Sequence, residues 1–157
     1  MSDEAGFEAR NAAELQRLRR LVDRLSDSQL AAPLNESWTV SAVLAHIAFW
    51  DARAAYLANK LLSGQPFSSD ESEPEDADWI NESHRPLAHA IAPRAAAELA
   101  VRTAEGVDRL IASLSAEQRL RAWPDDLDSP LNPLRADHRG EHLDEIEART
   151  GGPAPVG

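Results

Sequence analysis

The chain has 157 residues, no cysteine, and 27 acidic against 16 basic side chains, a formal net charge of −11. That length suits one domain, and so negative a surface repels phosphate backbones, which excludes nucleic acid as an expected partner. Without cysteine the chain can form neither a disulfide nor a thiolate metal site, and it carries no sulfur nucleophile of its own. No apolar run approaches the length of a membrane span, and the opening Met1-Ser2-Asp3-Glu4 is acidic with no apolar segment behind it. We therefore expect a cytoplasmic protein with no membrane partner, one domain over residues 1–150 and a disordered tail over 151–157. Alanine occurs 28 times and leucine 19 times, against 14 for valine, isoleucine and threonine together. Helix formers in excess and few β-branched residues predict an all-α fold.

The first predicted helix runs from about Phe7 to Leu25, with Leu15, Leu18, Val22 and Leu25 on one stripe. Ser26 to Trp38, holding Pro33, reads as a connection with about one turn of helix. A second long helix starts near Thr39 or Ser41 and stops before Gly64 and Pro66. Val40, Val43, Leu44, Ile47, Trp50, Ala54, Leu57 and Leu61 form its apolar face. The charged run Ser68 to Asp76 predicts a solvated, mobile loop. A short helix from roughly Asp76 to His84 follows, with Trp79 and Ile80 facing inward. Pro93 suits a first helical position, and Ala96, Leu99, Ala100, Thr103, Val107, Leu110, Ile111 and Leu114 keep helical spacing to Ser115. Ala116 to Pro133, with Pro124 and Pro130, reads as a long irregular crossing. The last helix is predicted to start at Pro133, capped by Asn132, and to end before Gly151-Gly152. Four principal helices, long connections and one short extra helix predict a four-helix bundle.

Five histidines occur, at positions 46, 84, 89, 138 and 142. His138 and His142 stand four apart, which on a helix stacks two imidazoles on one face, close enough to share a metal. They share that edge with Leu134 and Glu145, beside the apolar Leu143 and Ile146. His46 falls among Val43, Ile47 and Trp50, where a solvent-facing side chain is not expected. Inward side chains from two helices of a bundle can converge, and three neutral imidazoles would leave a fourth coordination position open. With no sulfur ligand, zinc, nickel or a similar divalent ion is expected. The same pattern also fits a core-satisfied His46 and a His138/His142 pair on a solvated face. His84 and His89, next to Pro86 and a predicted helix break, read as ordinary surface residues.

Ser37-Trp38-Thr39-Val40-Ser41-Ala42-Val43-Leu44-Ala45-His46-Ile47-Ala48 resembles the tryptophan-to-histidine signature that opens the second helix of the DinB/YfiT-like superfamily. His138-Arg-Gly-Glu-His142-Leu-Asp-Glu-Ile146 is similar to that family's closing two-histidine motif, and Trp50 matches a frequent aromatic. The segment Asp76 to Asn81 with the long helix after it looks like the family's middle region. The likeness spans Phe7 to Arg149. It departs at Ser37, where a glycine is frequent, and at Gly140, inside the final motif. Neither removes a ligand. The resemblance implies His46, His138 and His142 as the metal ligands, a DinB-type bundle, and a homodimer. It implies an activity in the range of low-molecular-weight thiol S-transferases of the bacillithiol or mycothiol type.

On that reading a small thiol from solution and an electrophilic acceptor are the expected partners, in a pocket to which Trp50 could contribute as a substrate-binding wall. Trp50 could equally be core filler. Metal-dependent hydrolysis, and a metal- or ligand-binding module without turnover, are the alternatives. Glu145 and Asp51 are candidates for accepting a proton or orienting a ligand imidazole, or else plain surface acids.

Overall fold

In a computed structural model, residues 6–67, 76–122 and 131–152 are described, and all their regular elements are helices. The four long ones are α1 (Gly6–Arg24), α3 (Val40–Leu62), α5 (Pro93–Ala112) and α7 (Arg135–Thr150). Three others join them: α2 (Asp27–Ala31), α4 (Asp78–Ala90) and α6 (Ala116–Ala122). None is long and apolar enough to cross a membrane. Residues 68–75 of the predicted mobile loop (68–76), 123–130 of the predicted crossing (116–133) and 153–157 of the predicted tail (151–157) lie outside the described residues.

Local chemistry fixes the helix ends. Ser26 and Gln29 close a capping box over α2. Thr39 caps α3 by accepting a hydrogen bond from the Ala42 N–H at 3.2 Å. Gly64 ends α3 and Gly151 ends α7, both at positive φ (72° and 71°), where a residue without Cβ carries no steric penalty.

α3 is the central element, buried on every side from Val40 to Ala48. Its main partner is α5, which offers Ala96, Ala97, Ala100 and Ala104, all fully buried, so the two backbones approach closely. The predicted stripes of α1 and α3 are buried, with Leu143 and Ile146 of α7 completing the same core. A second cluster at the far end joins Leu57, Leu61, Val107, Ile111 and Leu131.

The structure corrects four expectations. α7 begins two residues late, at Arg135, and its cap comes from another helix. Asn11 of α1 accepts the Ala136 N–H at 2.8 Å and donates to the Pro133 carbonyl at 2.7 Å, while Asn132 only accepts the Leu134 N–H. α4 continues through Pro86 to Ala90. Trp79 points outward and is 67% exposed, although Ile80 is half-buried. Finally, the crossing from Ala116 is not wholly irregular, since it opens with α6.

Candidate metal centre

His46 sits in the first half of α3, on the side that meets α7, and is 6% exposed. His138 and His142, one turn apart on α7, face it and are half-buried. The Nε2 atoms of His46 and His138 are 3.2 Å apart. Among the described residues, the ligand-capable nitrogens of these three histidines lie within 4.8 Å of one another. Two nitrogens bound tetrahedrally at about 2.0–2.1 Å from a zinc ion would be roughly 3.4 Å apart, so the His46–His138 spacing matches that of neighbouring ligands.

The environment favours the neutral form of His46 and His138, the form a metal ligand must take. Burial pushes the His46 imidazole down to about 3, and the rings of His142 and His84 reinforce it. His138 is pushed down to about 2, first by burial, then by His142, His46 and the guanidinium groups of Arg135 and Arg139. The Nδ1 atoms of His138 and His142 are buried and make no hydrogen bond among the described residues. Buried polar nitrogens normally find partners. Three converging imidazoles, with the Nδ1 atoms of His138 and His142 unspent and no carboxylate at their centre, fit a divalent transition metal.

Above the cluster opens a cavity of about 460 Å³, lined by Trp38, Val43, His46, Asn81, His142 and Glu145 together with Asn35, Asp78 and Glu82. Glu145 is half exposed, with Oε2 3.5 Å from His142 Nδ1. Trp50 is buried behind this wall. Its indole N–H donates to the Asn81 Oδ1 at 3.0 Å, so it meets the cavity through Asn81.

Asp51 is not a surface acid, and both of its carboxylate oxygens are engaged. It is 0% exposed, with Oδ1 accepting from Arg135 at 3.0 Å and Oδ2 from Arg139 at 2.9 Å. Arg139 in turn reaches both oxygens of Asp108 on α5, at 2.7 and 2.9 Å. These ionic contacts tie α7 to α3 and α5 beside the histidines.

Nor is His84 an ordinary surface residue. It is 8% exposed, and its Nε2 lies 3.1 Å from His46 Nδ1. Its ring stacks on Phe49 at 4.1 Å. His89 is exposed as expected, yet it stacks on Trp38 and lies 3.0 Å from the Ser37 carbonyl, tying α4 to the entrance of α3.

A family model described as the DinB superfamily matches residues 11–143, a stretch that contains His46, His138 and His142. Searches among curated proteins and among solved structures gave no match.

Proposed function

The chain belongs to the DinB superfamily, and from that premise we propose that it is a metal-dependent enzyme transferring the sulfur of a low-molecular-weight thiol to an electrophile. The observation that carries the reading is a cavity wider than a water molecule needs, lined by His46 and His142, two of the three imidazoles that converge. In this proposal His46, His138 and His142 hold one zinc or nickel ion. Bound there, the ion would supply a Lewis acid that favours the thiolate, since a free thiol with a pKa of about 8.5 is mostly protonated at neutral pH.

The chain's own residues do the rest. Trp38 and Val43 give the acceptor an apolar wall, and Asn81 offers an amide whose orientation the Trp50 indole fixes. Trp50 thus contributes to substrate binding from behind. Glu145 stands at the cavity edge, where it can take up the proton that the thiol loses. The sulfur must come from solution, as the chain has none to offer as a nucleophile. A homodimer in the cytoplasm belongs to the same proposal and is checked by sedimentation.

The test is elemental analysis of untagged protein, followed by thiol titration of its cobalt-substituted form. We expect about one divalent ion per chain, lost in His138→Ala, and a visible-band shift on adding a bacillithiol- or mycothiol-type thiol. Absence of metal after chelator-free purification would refute the site. Metal without any thiol response would replace the transferase with a hydrolase or a non-catalytic module.

A further inference from the structure

Of the three imidazoles that converge, His46 has its Nδ1 hydrogen-bonded to another side chain. Among the described residues His138 Nδ1 has no such bond, and His142 Nδ1 has only the exposed Glu145 carboxylate at 3.5 Å, outside hydrogen-bond geometry. The partner of His46 is His84 of α4, and the direction of that bond can be read from the far side of the relay. His84 Nδ1 lies 2.9 Å from the Ile80 carbonyl oxygen one turn earlier. A carbonyl oxygen only accepts, so His84 Nδ1 carries the proton and its Nε2 presents a lone pair. His46 Nδ1, 3.1 Å from that lone pair, must then be the donor. Its remaining nitrogen, Nε2, is left bare and is the atom that faces His138 Nε2 at 3.2 Å. The two imidazole planes lie only 15° apart, and Phe49 stacks on the His84 ring at 17°. The relay is buried at both rings.

We propose that His84 is the positioning residue of this centre. It holds His46 as the Nδ1–H tautomer, with the Nε2 lone pair aimed at the point where His138 and His142 converge. The inference rests on reading those three histidines as ligands. It assigns His84 no contact with metal or substrate, and it makes His46 the one preoriented ligand. Neither His138 nor His142 makes a hydrogen bond through Nδ1 among the described residues, and the half-exposed Glu145 at 3.5 Å does not fix the His142 ring. An orienting partner of this kind typically contributes a factor of about 10–100 in metal affinity.

The test has two arms on the full chain. Long-range proton–nitrogen correlation spectra of the metal-free wild type should show His46 as the Nδ1–H tautomer; the Nε2–H form overturns the proposal without any variant. Zinc affinity by chelator competition should then fall about 10–100-fold in His84→Ala. It should largely recover in His84→Gln, whose amide oxygen can accept from His46, with both metal-free variants keeping the wild-type helical signal. An unchanged affinity in His84→Ala, while His46→Ala abolishes binding, overturns the positioning role and leaves the metal site standing. Equal weakening in the Ala and Gln variants also overturns it, in favour of a packing role. A wild type that takes up no zinc overturns both readings together.

Discussion

Replacing Asp51 by alanine should be among the most damaging single changes in the bundle, for a reason that can be followed atom by atom. Asp51 is fully buried and accepts from two guanidinium groups, that of Arg139 at 0% exposure and that of Arg135 at 6%. Alanine leaves both cations in the interior. Arg139 keeps Asp108, whose side chain is 16% exposed, but Arg135 retains only a long contact of 3.4 Å to the Asn132 carbonyl. Removing one partner of a buried pair costs about 3–5 kcal/mol, because the stranded charge has lost its hydration and gained nothing. Against a total stability of roughly 5–15 kcal/mol, that is a large share. At about 2–4 °C per kcal/mol for a chain of this size, Tm should fall by roughly 6–20 °C. Urea titration followed by far-ultraviolet circular dichroism measures the loss directly. Asp108→Ala should cost less, about 1–3 kcal/mol, since water can reach that carboxylate and Arg139 keeps Asp51. A loss below about 1 kcal/mol for Asp51→Ala would mean that water reaches the arginines, and would refute the account of a dry ionic junction.

The metal-free protein should lose stability in mild acid. His46 and His138 have folded-state pKa values of about 3 and about 2, below the ordinary histidine range, so below about pH 6.5 the unfolded chain binds protons that the folded chain refuses. Stability should be flat above that and fall by about 2 kcal/mol per histidine down to about pH 5. The double variant His46→Gln/His138→Gln should remove most of that slope in urea titrations, and an unchanged slope would show the two rings are not the cause. Asn11→Ala should cost about 1–2 kcal/mol by uncapping α7 from a distance, measured the same way; a loss of only a few tenths would leave the cap without energetic weight. Zinc at a hundred times its dissociation constant should add about 2.7 kcal/mol of stability, reversed by a chelator and absent in His142→Ala. Thermal unfolding with and without the ion decides it.

The sequence carried the apolar stripes of α1 and α3 because both helices bury one continuous face, which periodicity records directly. For the histidines, spacing alone left a core-satisfied His46 and a solvated His138/His142 pair open; the resemblance to the DinB/YfiT-like superfamily grouped the three, and they lie within 4.8 Å of one another. His84 escaped because Pro86 was read as a helix end. Proline there forfeits one backbone donor near a solvent-exposed turn, and the helix continues, which places Ile80, His84 and Ala88 on a common inward row. Trp79 was misplaced by the same truncation. It lies nine residues from the buried Ala88, which is half a revolution around the helix, so its ring points to water. Asp51, Arg135 and Arg139 were unreadable as a group, since their pairing depends on three helices meeting at one depth.

Those charges bear on the metal centre through register. On α7 the arginines 135 and 139 form one row and the histidines 138 and 142 another, each with a spacing of four. A slip of α7 by one turn would therefore put His142 where His138 stands and Arg139 where Arg135 stands, with little local penalty. Two contacts are not repeated after four residues and break that degeneracy: Asn11 on Pro133 and Ala136, and Arg139 on both oxygens of Asp108. Our hypothesis is that the buried ions persist for this register, since well-packed apolar residues in their place are often as stable or more so. The quadruple variant Asp51→Leu/Asp108→Leu/Arg135→Met/Arg139→Leu, which strands no partner, separates the two roles. It should match the wild type in urea stability yet bind zinc more weakly, because His138 and His142 are no longer held opposite His46. Equal zinc affinity in a stable quadruple variant would show that apolar packing alone sets the position of α7.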